Sequence, residues 1–429
     1  MKFEPRPDND FDEFIDVYFQ RCRDRFGKLL AIAGKWTYED LIPGLSDFDT
    51  RFIVADDTSL DDWMAMSLAV GQVHTELARA RPEWARILEH LPGINLTVSE
   101  MTDPIGYYPE FGQWTFYQGD ASAIERIAAY LAGQPWTQRD EAFHLKRFAT
   151  YYGPYNRGID PAINLGRWES KYPLHSRFMH YFTPPVQAAV SLVRRRAVRG
   201  KSDALRQARE LFDRPDVIHR VLDAVDRHYE VPAYYAEPKL SDIERELEDY
   251  LRSVLAALSG HVSLIDVDPD DTRDELRARI AAMPPDPAEA FFSGARFCRL
   301  MKGRLLFYAE SIDAFDSSWL IRNELGRIIS NFYETPLRAY GQLRFDDRLE
   351  ADEVLDRCTG DVVTAQDREA VALFVGMAGA PIPEGQERRC ARQVAGAFDP
   401  MLRVIETLRR DMTRRIAESD CEVTDGPDR

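Results

Sequence analysis

The sequence predicts an α+β protein, with a small mixed sheet and flanking helices near its N-terminus followed by a mainly α-helical region. Three observations carry this. Short apolar runs end in turn residues at strand length, around 29–33, 47–54 and 94–98. Between them, apolar residues recur at helical spacing. From about residue 138 onward the helical pattern is the one that persists.

Residues 10–26 place Phe11, Phe14, Ile15, Tyr18 and Cys22 on one helical face. Leu29-Leu30-Ala31-Ile32-Ala33 then runs apolar and stops at Gly34, as a buried strand does. A second strand is expected over 47–54. Ser59 reads as an N-cap with Asp62 three residues on, opening a helix striped by Trp63, Met66, Val70, Val73 and Leu77. Strands are expected again over 94–98, after Pro92-Gly93, and over 114–117. Downstream, helices are expected over 185–210 and 215–229. A capping box at Ser241-Asp242-Ile243-Glu244 opens another helix, which Gly260 stops. The last stripe, Leu402, Ile405, Leu408 and Met412, follows the start signal Asp399-Pro400. Breaks near 133–137 and at the acidic, Pro-rich 266–287 suggest domains over 1–135, 136–265 and 266–429.

The net charge is −17, from 72 acidic against 55 basic residues, which repels a phosphate backbone and argues against general nucleic-acid binding. A local basic pocket for a nucleotide is still compatible with it. No apolar run approaches the ~20 residues that span a bilayer. The first residues lack a basic start followed by an apolar stretch, and the five cysteines are scattered. A cytoplasmic protein is the expectation.

The most pointed local feature is Ser46-Asp47-Phe48-Asp49, at the head of an apolar run. In an extended chain Asp47 and Asp49 share a side. Like charges held that close raise each other's proton affinity unless a cation lies between them. Mg²⁺ suits such a pair, because it takes one or two carboxylates and fills its shell with phosphate oxygens and water. The alternative is a solvated turn that caps a strand.

The order helix, strand ending in glycine, connection, D-x-D strand, helix, strand resembles the nucleotidyltransferase superfamily related to DNA polymerase β. Among its members the small-molecule transferases, of aminoglycoside and lincosamide type, are nearest in style. Ala33-Gly34-Lys35, a spacer of eleven residues and then Asp47-Phe48-Asp49 match the family signature over roughly 10–120. The resemblance implies Mg²⁺ held by Asp47 and Asp49, and an NTP, ATP by default, met by Gly34, Lys35 and Ser46. It also implies transfer of a nucleoside monophosphate to a hydroxyl of a small-molecule acceptor, with release of pyrophosphate. By analogy with the small-molecule members, Glu141 is the candidate base and Lys146 a triphosphate contact; a solvated helix face is the alternative for both. Lys171 and Arg177, in the basic and aromatic 157–181 stretch, are further nucleotide-binding candidates. Two positions depart from the family pattern. Lys35 replaces the usual Ser or Gly, and Asn95 falls where a third carboxylate is expected. That second departure leaves open a degenerate fold that binds nucleotide without turnover, acting as a regulatory protein. Transfer of the nucleotide onto a protein is another alternative.

Overall fold

Leu29–Gly34 (β1), Thr50–Val54 (β2), Asn95–Thr97 (β3) and Thr115–Gly119 (β4) form one small mixed sheet in the order β3-β2-β1-β4. The remainder of this computed structural model is helical, and it describes residues 10–41, 46–85, 87–152, 182–226, 239–310, 312 and 316–424. All five residues of β2 are buried, as are five of six in β1, whereas β4 is half-buried along its length. β4 is thus the open edge of the sheet, whereas β3 at the other edge is buried along its length. β2 and β3 run parallel, with Phe52 opposite Asn95 and Val54 opposite Thr97. Parallel neighbours need a crossover, and the helix Leu60–Ala80 (α2) lies between them in sequence.

The first helix, Phe11–Arg25 (α1), precedes β1, so the order α1-β1-β2-α2-β3 is the one the sequence predicts. Ser59 caps α2 through a box in which its side chain accepts from the Asp62 amide while Asp62 accepts from the Ser59 amide at 2.7 Å. The short helix Val98–Met101 (α3) follows β3, and Ala121–Ala132 (α4) follows β4. Then come Gln138–Tyr151 (α5), Thr183–Arg194 (α6), Lys201–Leu211 (α7), Pro215–Asp226 (α8), Lys239–Leu258 (α9) and Arg273–Ala282 (α10). Beyond these lie Pro287–Cys298 (α11), Met301–Ala309 (α12), Ser317–Ile329 (α13), Thr335–Phe345 (α14), Ala351–Cys358 (α15), Ala365–Ala378 (α16), Glu387–Gly396 (α17) and Asp399–Thr424 (α18).

The chain divides into two units, each gathered from three stretches rather than from consecutive blocks. One holds Met1–Asp16, Ala33–Asp49 and Pro109–Pro285. Its helical core is a cluster around α5, α6, α8 and α9, including Phe148, Phe182, Val186, Val217, Leu251 and Val254. Residues Thr183 to Leu192 of α6 are all buried, which makes α6 the central helix of that core. The expected helix over 185–210 is two helices. Gln187 and Ser191 of α6 bond the returning backbone, with the Gln187 amide donating to Val198 O at 2.9 Å, and Gly200 turns the chain at φ 74°. The 266–287 stretch is likewise no plain linker. It contains α10, and its Asp271 is buried, paired with Arg279, and accepts from the Tyr152 hydroxyl at its carbonyl. The helix α9 begins at Lys239, ahead of the capping box expected at Ser241.

The other unit holds Val17–Ile32, Thr50–Tyr108 and Asp286–Arg429. Two features order it. Helices α2 and α12 cross at glycines, and the Gly303 amide donates to Ser67 Oγ at 2.9 Å. Arg299, wholly buried, bonds Glu100 of α3 at 2.6 Å and Glu406 of α18 at 2.7 Å. Among the described residues no helix is long and apolar enough to cross a membrane.

Candidate functional site

Gly34 ends β1 where only a hydrogen atom fits. A Cβ there would lie 2.5 Å from the Tyr117 ring, and the Tyr117 hydroxyl donates to the Trp36 carbonyl. The sequence assigned this glycine to close approach of a phosphate; the group that approaches it is the Tyr117 side chain. The Ser46-Asp47-Phe48-Asp49 segment precedes β2 instead of opening it. Even so, burial alternates residue by residue, with Ser46, Phe48 and Thr50 inside and Asp47 and Asp49 half-buried. Phe48 anchors this alternation. Its ring packs against Tyr117, Phe11, Phe14 and Tyr38 at centroid distances of 4.9 to 6.1 Å. The two aspartates are thereby turned away from an aromatic cluster, with hard oxygen donors of the kind Mg²⁺ prefers.

Beside this segment, in the same unit, cationic groups gather at one indole. Lys201 Nζ lies 4.1 Å from the Trp36 ring centroid, Lys35 Nζ 5.4 Å and Arg147 Cζ 5.5 Å. Cations on an aromatic face are attracted to its quadrupole. Lys35 also pairs with Glu110 at 2.7 Å, and Glu110 accepts from Trp114 Nε1 at 3.2 Å. Lys201 opens α7, where Asp40 Oδ1 accepts from the Lys201 and Ser202 amides at 2.8 Å each. That carboxylate thus serves the start of a helix distant in sequence. Burial pushes the Lys201 ammonium down to about 8; Asp40 and Asp47 oppose the fall, and Arg147 and Lys35 add to it.

His144 lies one turn before Arg147 on α5, fully buried and stacked on Trp136 at 5.5 Å. Neither ring nitrogen has a partner among the described residues. Burial lowers its pKa to about 3, helped by the charges of Arg147 and Lys35. In the other unit, burial likewise lowers His74 to about 3; its Nε2 accepts from the Tyr18 hydroxyl at 2.7 Å. Both values lie below the unfolded imidazole value of about 6.5. The neutral rings therefore contribute stability above that pH, and the contribution is lost as the pH falls from there towards 3. Urea unfolding across pH should show stability dropping steadily below pH 6.5, with about two protons taken up per molecule unfolded near pH 5. A flat profile would mean that the rings are not neutral in the fold.

The other expected site residues fall elsewhere. Glu141 is buried beneath a loop, accepting from the Ser263 amide, from Ser263 Oγ at 3.0 Å and from the Leu264 amide at 2.8 Å. Its carboxylate ties that loop to α5. Lys146 is exposed and lines a groove of about 350 Å³ with Arg277, Ile280, Met283 and Pro284. Lys171 and Arg177 lie outside the described residues. Asn95 is buried in β3 and donates to the carbonyls of Pro92 and Gly93 at 3.0 and 3.2 Å, which fixes the entry to that strand. Glu100, the next carboxylate along, belongs to Arg299.

Trp36, His144, Arg147 and Lys201 are residues that motif reading passes over. The helical phase of α5 carries a signal for two of them, since His144 and Arg147 are three apart and Lys146 is not in step. Lys201 has no local signal, because its burial depends on Asp40, 161 residues away. Comparisons of the chain with protein-family models, curated proteins and solved structures found no match.

Proposed function

We propose that the protein is an Mg²⁺-dependent nucleotidyltransferase that moves a nucleoside monophosphate from an NTP to a hydroxyl of a small-molecule acceptor. The observation that supports this reading is the pair Asp47 and Asp49, half-buried on either side of buried Phe48, with Asp47 near enough to the cationic cluster to act on Lys201 through its charge. The element order α1-β1-β2-α2-β3 supports it. Asp47 and Asp49 would hold the metal, which when bound neutralises charge on phosphate oxygens. Lys35 and Arg147 would supply positive charge to the phosphates of the bound NTP. The acceptor oxygen bonds to the α-phosphorus, the bond to the bridging oxygen breaks, and pyrophosphate leaves with that electron pair. The acceptor's proton passes to a base on the protein. Glu141 fits that role only if it leaves the amides of Ser263 and Leu264. Cytoplasmic location and ATP as donor belong to the same proposal.

One observation favours a second reading, in which nucleotide binds without turnover. Asn95, at the place of the third carboxylate, has its amide committed to two backbone carbonyls. Transfer onto a protein acceptor is the remaining variant of the reaction.

Calorimetric titration with each of the four NTPs, with and without Mg²⁺, tests the reading. The wild type should bind one NTP in a metal-dependent way. The double variant Asp47→Asn, Asp49→Asn should weaken that binding by about tenfold or more, equivalent to at least ~1.4 kcal/mol. Wild type that binds none of the four would sink the proposal. Pyrophosphate release with an acceptor panel separates enzyme from binder, and a labelled protein band identifies a protein acceptor.

A further inference from the structure

We infer that Arg147 and Lys201, gathered at Trp36, form a pocket for a phosphate group together with His144, one turn before Arg147 on α5. The inference does not depend on the transferase reading or on a metal. Two independent observations carry it.

The first is unneutralised positive charge. Lys201 is buried and Arg147 half-buried, yet neither forms an ion pair among the described residues. The nearby carboxylates are spent elsewhere. Asp40 accepts from the amides of Thr37, Lys201 and Ser202, and Glu110 is paired with Lys35. A buried cation without a partner is unfavourable, and a second, half-buried one beside it adds to the cost, so the pair calls for an anion. Asp47 also acts on Lys201 through its charge, but burial outweighs it and holds the ammonium down at about 8.

The second is a set of buried polar atoms with nothing to bond. Among the described residues, both nitrogens of His144 and Nε of Arg147 lack a partner. Each such atom is a net cost to the fold if left unmet. One turn of α5 therefore offers an imidazole N–H and a guanidinium Nε–H, and α7 adds an ammonium. A core histidine stacked on Trp136 needs no free nitrogens, and a lysine stem covering Trp36 needs no buried head group. The donors come from separate elements, which suits a tetrahedral oxyanion with several acceptor oxygens better than a planar carboxylate.

Free phosphate, a small phosphorylated molecule and the phosphate chain of a nucleotide share this chemistry, and one experiment separates them. Full-length protein in excess chelator is titrated by calorimetry with inorganic phosphate, pyrophosphate, ATP and adenosine. The wild type should bind pyrophosphate without metal, and Arg147→Met and Lys201→Met should each weaken it by about tenfold. The Asp47→Asn, Asp49→Asn variant should retain it, which separates this pocket from the proposed metal site. ATP that binds no tighter than pyrophosphate assigns the pocket to phosphate alone, whereas ATP that binds tighter assigns it to a nucleotide. In parallel, the His144 ring resonance, identified by its loss in His144→Gln, should move on addition of pyrophosphate and not of adenosine. This arm needs no folded cation variant. No binding by wild type to phosphate, pyrophosphate or ATP would overturn the inference. Binding indifferent to both cation variants, or a His144 resonance that stays still, would do the same.

Discussion

Replacing Arg299 by methionine is expected to destabilise the protein by about 3–5 kcal/mol at neutral pH, the range for breaking a buried pair from one side. The residue has no exposed surface. Its Nη1 donates to Glu100 at 2.6 Å and to the Asn95 carbonyl at 2.8 Å, its Nε to Glu406 at 2.7 Å, and its guanidinium lies 4.1 Å from the Trp63 ring centroid. Methionine preserves much of the stem and removes the charge. Two buried carboxylates are then left with Arg409, 2.8 Å from Glu406 and 3.3 Å from Glu100, as the cation still paired with both.

The pH dependence gives this prediction a distinctive sign. In the wild type the arginines hold Glu100 and Glu406 below the ordinary carboxylate range, against burial that pushes the other way. Their stabilising contribution is present above the unfolded value of about 4.3 and is lost as the pH falls through the lower folded values. In Arg299→Met burial and mutual repulsion raise the carboxyl pKa values, so protonation relieves the variant. The deficit measured by urea unfolding should therefore shrink between pH 7 and pH 4.5. An equal deficit at both would show that the lost packing on Trp63 matters more than the charge.

Gly303→Ala is expected to cost at the upper end of the ~1–3 kcal/mol range for overpacking. A Cβ on Gly303 would overlap the Ser67 carbonyl oxygen and come within 2.8 Å of its carbon. These are backbone atoms of α2, so the clash cannot be relieved by a rotamer. Either α12 moves off α2, or the bond from the Gly303 amide to Ser67 Oγ at 2.9 Å is lost. Gly71 faces the same crossing, with its own Cβ position 2.8 Å from Gly303 O. Gly326, also within a helix, supplies the control. Nothing lies within 4 Å of its Cβ position, and alanine there should raise stability by about 0.5–1 kcal/mol through backbone entropy. Similar melting points for the two variants would mean that the crossing is looser than its geometry implies.

What could be read in advance follows the reach of each signal. The bounds of α1, β1 and α2 were legible because their stripes and the Ser59 cap are local. The alternation across Asp47 and Asp49 was legible for the same reason, although the strand itself begins at Thr50. Glu141 shows the limit. In sequence it is an acid on an amphipathic helix, and only the loop at Ser263 and Leu264, more than a hundred residues away, makes it a structural anchor. Lys201 is the converse case, a surface-type residue whose burial is imposed by Asp40 and Gly200. Gly303 carries no signal in the sequence, because its role depends on Ser67, 236 residues away. The break between α6 and α7 was hidden too, since it depends on Gln187 and Ser191 bonding backbone that has not yet turned.

The weaving of the chain between its units has a consequence for biosynthesis. The backbone passes from one unit to the other after Asp16, Ile32, Asp49, Tyr108 and Pro285. Neither unit is a stretch that a ribosome can deliver whole before starting on the other. The buried run Phe52-Ile53-Val54 emerges early, yet helix α11, which packs on its neighbour β3, begins only at Pro287. At about 5–20 residues per second that delay is on the order of ten to fifty seconds. During it, a strand pair built for burial is available to chaperones and to other nascent chains. Synthesis of this protein is therefore a matter of holding early strands for late helices, and a gene cut at any single internal point leaves at least one unit incomplete or joined to pieces of the other.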